Sequence, residues 1–349
     1  MKRFWLQFSI VIIGLLSLIA VYVYAIDPFY HYHPPALGTS AYFYSQIYQS
    51  PGIIKNFDFD SLIVGTSMTE NFRTSWFREK GFNTQKISYS GGTTKDLSTL
   101  MELAFEKNPQ IQFIWTDLEP YQLFTAPDDV FQEIPQYLYN DFLLDDIGYW
   151  WNTDVFWTAN ARVAEAFKGI RHDTDDAYTW EDKALFSKEK VLNASRDQFD
   201  ALRENPPISQ IDFDSVCKTA LANITNYTRM ITAHPGTQFV FFYPPPSALY
   251  WHRIKLSGEE WILDLFEYVA RDLLQYDNVQ VYYFQDEYKW TTNINNYRDE
   301  SHHTPAINKS IFEKIMAGEK RLTSENIDAY FEGMRKWLQT YPFESLWEP

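Results

Sequence analysis

Hydrophobic and polar positions along the chain form three kinds of pattern. The first is an almost unbroken apolar run from Phe4 to Ile26. As a helix rising about 1.5 Å per residue, it reaches roughly 35 Å, enough to cross a hydrocarbon layer of about 30 Å. The second is a set of short apolar runs bounded by polar sequence: Ser61–Gly65, Lys86–Tyr89, Ile111–Trp115, Gln238–Phe242 and Val279–Phe284. Runs of this length, rich in branched and aromatic residues, predict strands buried on both faces. The third is helical periodicity, over Thr94–Lys107, Asp214–Ala233 and Glu259–Leu274 between the strands and over Ala306–Met316 and Ser324–Thr340 after them. Strand and helix in alternation predict an α/β fold with a doubly wound, mainly parallel five-stranded sheet. Ligands of such sheets bind beyond the carboxyl ends of the strands, so chemistry is expected just after each apolar run.

The interval from about Leu123 to Pro207 breaks this alternation. It is rich in Asp, Trp and Tyr, contains helical stretches such as Asn160–Lys168, and reads as an insertion covering the sheet edge or the site. The organisation predicted is a transmembrane signal anchor over residues 1–26, a stalk over 27–56 and one large domain over 57–349. Lys2 and Arg3 precede the apolar run, and the positive-inside bias puts them in the cytoplasm and the body after Asp27 on the far side. The expected location is therefore the cell membrane, single-pass, with the domain extracytoplasmic. A cleaved signal peptide is the alternative, with Val23 and Ala25 as small cleavage-site residues.

Charge narrows the partners. A formal net charge of −16 argues against nucleic acid or anionic lipid as the main partner. Cys217 is the single cysteine, so no intrachain disulfide forms. Aromatic residues make up 18% of the chain, which suits a thick aromatic core or, alternatively, carbohydrate-stacking surfaces. No spacing of His, Cys and carboxylates makes a metal site, and no cofactor is expected. Asn193, Asn223, Asn226 and Asn308 match the glycosylation sequon, a cheap match.

Two segments carry the candidate chemistry. The first strand runs into Gly65-Thr66-Ser67-Met68-Thr69-Glu70-Asn71, which leaves the Ser67 hydroxyl at the carboxyl end of the sheet. A serine attacks a carbonyl when a neighbouring base takes its proton and nearby N–H groups hold the oxyanion. The second strand runs into Ser90-Gly91-Gly92-Thr93, where glycine backbone can approach Ser67 closely. Near the other end stands Asp299-Glu300-Ser301-His302-His303, and Asp299 and His302 can share a turn, the carboxylate holding the imidazole while the other ring nitrogen faces the serine. His303 is expected to pack, His234 and His252 to lie at the surface or at helix ends, and His31 and His33 to lie in the stalk.

In that order, with Leu62-Ile63-Val64-Gly65-Thr66-Ser67 after the anchor, Phe241-Phe242-Tyr243-Pro244-Pro245-Pro246 in the middle and Asp299-Glu300-Ser301-His302 near the end, the chain from about Phe57 to Met316 resembles the SGNH/GDSL hydrolase family. It is most similar to membrane-anchored members such as the D-alanyl-lipoteichoic acid biosynthesis protein. The resemblance implies a flavodoxin-like SGNH fold, Ser67 as nucleophile, His302 as base, Asp299 as its partner, and the amides of Ser67 and Gly91 as oxyanion donors. It implies an acyl-ester enzyme acting by O-acyl or D-alanyl transfer to, or ester hydrolysis from, a cell-envelope polysaccharide or teichoic acid, with a membrane-bound O-acyltransferase as a partner. One departure stands out: members of the family often carry Gly-x-Asn-Asp after the third strand, whereas this chain has Thr116-Asp117-Leu118-Glu119. A carboxylate repels an oxyanion, so Asp117 is a candidate for holding a cationic substrate group or for capping a helix, and Gly92 and Tyr243 join it as candidate substrate contacts. The alternative reading is a non-catalytic envelope module that keeps the fold for binding or assembly.

Overall fold

A computed structural model of the chain describes residues 1–37, 45–172, 174–180, 182, 185–207 and 211–348. Residues 38–44 of the expected stalk and positions 173, 181, 183 and 184 of the expected insertion lie outside the described residues. In chain order the elements are α1 Lys2–Ile26, α2 Gln46–Asn56, β1 Ser61–Ile63, α3 Thr74–Arg78, β2 Thr84–Lys86, α4 Thr94–Lys107, β3 Phe113–Asp117 and α5 Pro120–Phe124. There follow α6 Ile147–Trp150, α7 Thr153–Phe167, α8 Lys188–Glu204, α9 Phe213–Ala233, β4 Gln238–Tyr243, α10 Ala248–Leu256 and α11 Trp261–Leu273. The chain ends with β5 Val279–Tyr283, α12 Tyr288–Thr291, α13 Pro305–Met316 and α14 Ile327–Thr340.

The five strands form one sheet in the order β2-β1-β3-β4-β5, and every pairing is parallel. Side chains alternate across a strand, and in the inner strands β1, β3 and β4 both sets are largely apolar, so both faces must be covered. Leu62, Ile114, Phe239 and Phe241 point into the larger core with Leu100 and Met101 of α4, Ile224 of α9 and Phe266 of α11. Ile63, Trp115, Val240 and Phe242 point the other way, onto Phe77 of α3 and Ile307, Ile311 and Phe312 of α13. The crossover from β1 to β2 carries α3 on one face of the sheet, and the crossover from β2 to β3 carries α4 on the other. A crevice therefore opens at the carboxyl ends where the order reverses, next to β1.

The second strand is placed earlier than the apolar run suggests. Its ladder spans Thr84–Lys86, and beyond it Ile87 and Tyr89 stay buried and donate to Ile63 O at 2.9 Å and Gly65 O at 2.7 Å. The chain thus keeps following β1 until Ser90 and Gly91.

The described part of segment 27–56 is a packed joint. Asp27 ends α1 in the left-handed region, φ 42°, and its carboxylate accepts from the amides of His31 at 2.9 Å, Tyr32 at 2.7 Å and His33 at 3.0 Å and from the Tyr149 hydroxyl at 2.8 Å. Val23 and Phe29 bury against Leu138, Tyr149 and Val155, while Ile53 and Ile54 of α2 enter the main core. The apolar side chains that look incidental in a stalk are what dock it. His31 is accordingly buried, its Nε2 3.0 Å from Asp146.

Candidate active site

The site grows from the turn after β1. Thr66 caps a single 3-10 turn, Ser67–Thr69, with its hydroxyl toward the Met68 amide. That turn is held from below by Asp117, the last residue of β3. Its carboxylate accepts from the Thr66 amide at 2.8 Å and from the Thr66 hydroxyl at 2.6 Å. Gly65 permits the approach: a Cβ there would lie 2.2 Å from Asp117 Oδ1 and 2.4 Å from Thr69 Cγ2. Asn308 of α13 donates to Met68 O at 2.8 Å and closes the turn from the other side. Ser67 is thereby presented partly exposed on a fixed support.

From the other end of the chain comes a loop that folds on its own carboxylate. Asp299 Oδ1 accepts from the amides of Ser301 at 2.9 Å and His302 at 2.8 Å, an Asx-type turn. The loop closes through Arg298 N to His302 O at 3.0 Å and is tied to the segment after β4 by Ser247, whose hydroxyl donates to Glu300 O at 2.7 Å. The Arg253–Glu300 ion pair, 2.7 Å, and the Tyr297 hydroxyl on Pro245 O, 3.0 Å, complete the tether.

These two constructions meet. Ser67 Oγ lies 2.8 Å from His302 Nε2, and His302 Nδ1 lies 2.7 Å from Asp299 Oδ2. Burial raises the Asp299 carboxyl, but the His302 ring, its positive form and the amides of His302 and Ser301 together outweigh burial and hold Asp299 below the ordinary carboxylate range. Asp299 therefore stays ionised and fixes a proton on Nδ1, leaving Nε2 to accept from Ser67. His303, one residue on, is buried with Nδ1 toward Thr304 O, and burial holds its pKa down at about 3. It stays a neutral packing residue.

Gly91 stands where the second strand leaves the sheet, with φ 72°, and a Cβ there would meet the Phe131 ring at 2.9 Å. Among the described residues, no backbone carbonyl engages the amides of Ser67 or Gly91.

The three candidate substrate contacts are buried and bonded within the protein. Asp117 is fully buried and spends both oxygens on Thr66. Burial pushes its pKa up to about 6 against the opposing hydrogen bonds from Thr66. Tyr243 is in the core, its hydroxyl donating to Phe266 O at 2.9 Å. Gly92 donates to Tyr89 O and accepts from the Tyr121 hydroxyl. Nor is His252 a surface residue; it packs on Phe199 and Phe343.

Three further groups border the dyad. Trp180, from the insertion, sets its ring edge-to-face against His302 with centroids 4.9 Å apart; Asn71 Oδ1 accepts from its amide, and the Arg298 guanidinium lies over its indole. Glu70 accepts from the Ser90 hydroxyl at 2.6 Å and Gln46 Nε2 at 2.5 Å, and burial raises its carboxyl. Glu119, beyond β3, is half-buried, and burial with the charges of Asp117 and Asp299 holds it well above the ordinary range. No metal-holding cluster occurs among the described residues.

No family model matches the chain, and no curated protein or solved structure shows significant similarity to it.

Proposed function

We propose that the chain is a membrane-anchored, extracytoplasmic serine enzyme of the SGNH kind, acting on acyl esters through an acyl-Ser67 intermediate. The observation that carries this reading is the continuous hydrogen-bond chain from Ser67 through His302 to Asp299 at the carboxyl end of a parallel sheet. Ser67 comes from the turn after β1 and His302 with Asp299 from a loop near the other end of the chain, so it is the fold that brings the hydroxyl to the imidazole.

In the proposed reaction, Ser67 Oγ attacks the ester carbonyl as its proton passes to His302 Nε2. Asp299 stabilises the imidazolium and keeps the ring oriented. The oxyanion donors in this reading are the amides of Ser67 and Gly91, two in place of the three that an added Asn gives. Collapse breaks the ester C–O bond, and His302 returns the proton to the departing alcohol. A second hydroxyl, from a sugar or polyol of an envelope polymer such as a teichoic acid, or from water, then gives its proton to His302 and attacks the acyl carbon; the acyl–Oγ bond breaks and His302 returns the proton to Ser67 Oγ. Transfer of an O-acyl or D-alanyl group and hydrolysis share every step but this acceptor. A membrane-bound O-acyltransferase that delivers the acyl group fits a site anchored beside the bilayer.

The test is turnover of a nitrophenyl ester by the full chain in detergent. The proposal predicts measurable release that disappears in Ser67→Ala; equal release by both proteins overturns it.

A further inference from the structure

Most of the exposed large hydrophobic side chains of the body lie in one segment of the chain, residues 121–170. Outside residues 1–26 and 121–170, the large hydrophobic side chains exposed among the described residues are scattered: Leu37, Ile211, Tyr268 and Met316. Within that stretch, Leu143, Leu144, Ile147 and Trp151 are all exposed, and so are Trp157 at 65% and Phe167 at 89%. On α7, Trp157, Ala161, Ala164 and Phe167 follow helical spacing and form one exposed stripe, bounded by Asp154 before it and Lys168 after it. A soluble face does not look like this. Single exposed apolar residues are ordinary, whereas a continuous patch marks a surface that something covers.

What covers it follows from where α1 lies. α6 and α7 pack along the last turns of α1: Phe156 meets Tyr22, the Tyr22 hydroxyl donates to Asn160, and the Trp151 indole N–H donates to Leu16 O at 3.0 Å. α1 is the single helix among the described residues that is long and apolar enough to cross a membrane. Its 25 residues span about 37 Å, against a hydrocarbon layer of about 30 Å. With Lys2 and Arg3 at one boundary, the hydrocarbon ends near Val23 at the other. Leu16 then lies roughly 10 Å inside that boundary. Trp151 touches α1 at that depth, so a bilayer that accepts α1 must also accept Trp151 and the surface around it. The relation holds whichever side of the membrane carries the body.

We propose that the face formed by residues 142–170 is a membrane-embedded shelf: it sinks into the acyl chains and headgroups of the leaflet on the body's own side, directly beside α1. The occupant is lipid. The chain is too acidic overall to be drawn to an anionic surface by charge. The shelf instead uses burial of apolar area, with Trp151 below the headgroups at the depth of Leu16, Trp157 further along α7, and Lys168 and Arg171 exposed at its rim for headgroup phosphates. Its consequence is mechanical. With the joint at Asp27 locked by four hydrogen bonds, the shelf and α1 are two attachments of one rigid body, and the sheet is held at a fixed height and tilt over the bilayer.

The test uses the full chain in nanodiscs of phosphatidylcholine with phosphatidylglycerol, where reagents reach both sides. In a Cys217→Ser background, Trp151→Cys and Trp157→Cys are each labelled with an environment-sensitive fluorophore. Ile10→Cys in α1 and Lys336→Cys on α14 are the buried-in-lipid and exposed controls. The proposal predicts that labels at 151 and 157 lose most of their emission when doxyl-chain lipids are included, as the label at 10 does, while the label at 336 keeps its emission. Quenching at 10 without quenching at 151 and 157 overturns the shelf. Shielding of 151 and 157 from an impermeant maleimide in native membranes but not in nanodiscs also overturns it, and assigns the face to a membrane protein. Absence of quenching at 10 itself overturns it by removing α1 from the bilayer.

Discussion

The Asp117 carboxylate grips Thr66 twice, at the amide and at the hydroxyl, and so fixes the residue before the candidate nucleophile from beneath. A carboxylate at the end of β3 that could have faced a ligand is here turned inward and made part of the support.

Its ionisation is linked to stability. Asp117 is fully buried with its pKa raised from 3.8 to about 6, so the folded state binds this proton more tightly than the unfolded state does. A raised folded pKa gives a contribution that is complete below about pH 4 and lost as the pH climbs through about 6. The stability of wild type relative to Asp117→Asn should therefore fall by an amount on the order of 3 kcal/mol between pH 4 and pH 7. Denaturant titrations of both proteins across that range check it; parallel pH profiles would contradict it. Asn can still accept from the Thr66 amide and should keep most of the activity. Asp117→Ala loses the support and should cost roughly 10–100-fold in rate through misplacement of Ser67.

The two adjacent histidines should separate cleanly. His302→Ala removes the group 2.8 Å from Ser67 Oγ and should abolish ester turnover with little change in melting temperature. His303→Ala empties a fully buried position and should lower stability by about 1–3 kcal/mol while turnover persists. A dead His303 variant beside an active His302 variant would reverse the assignment.

Asp299→Asn tests the tautomer. The Asn amide can still serve the loop amides of Ser301 and His302 but no longer fixes a proton on Nδ1. Thermal unfolding should stay near wild type while kcat drops by up to roughly 10⁴. A rate within a few fold of wild type would remove Asp299 from the mechanism.

Truncation tests the joint. Cutting after residue 26 removes Val23, which is wholly buried against the insertion, whereas cutting after residue 18 spares it. In mild detergent the shorter chain should be less stable by about 1.5–3 kcal/mol, the burial of one valine-sized side chain or more. Equal stability of the two truncations would mean that α1 does not pack on the body.

The sheet was legible because a strand buried on both faces leaves a local mark: consecutive apolar residues at Leu62-Ile63-Val64 or Phe239-Val240-Phe241-Phe242. Ser67, Asp299 and His302 were legible because the doubly wound order says where in the chain to look, and because Asp299 and His302 lie within one turn of each other. What was not legible depends on contacts between distant segments. Asp117 reads the same in sequence whether it faces a substrate or the Thr66 turn. Tyr243 looks like a site tyrosine until the helix carrying Phe266 is laid across it. Trp180 reaches His302 from the insertion, and nothing local to Trp180 predicts that. Segment 27–56 read as a stalk because its apolar residues are spread too thinly to mark an element, yet Phe29, Ile53 and Ile54 are each buried by partners far along the chain.

If His302 and Asp299 make the Ser67 hydroxyl a nucleophile, that hydroxyl must react with an electrophile built for activated serines. The most direct measurement is covalent labelling of the full chain with a fluorophosphonate, followed by peptide mapping of the adduct. The account predicts a single adduct on Ser67 in wild type, formed at an undiminished rate in the His303→Ala protein and absent from the His302→Ala protein. A folded wild-type protein that takes up no label on Ser67, or a His302→Ala protein that labels as fast as wild type, would contradict it.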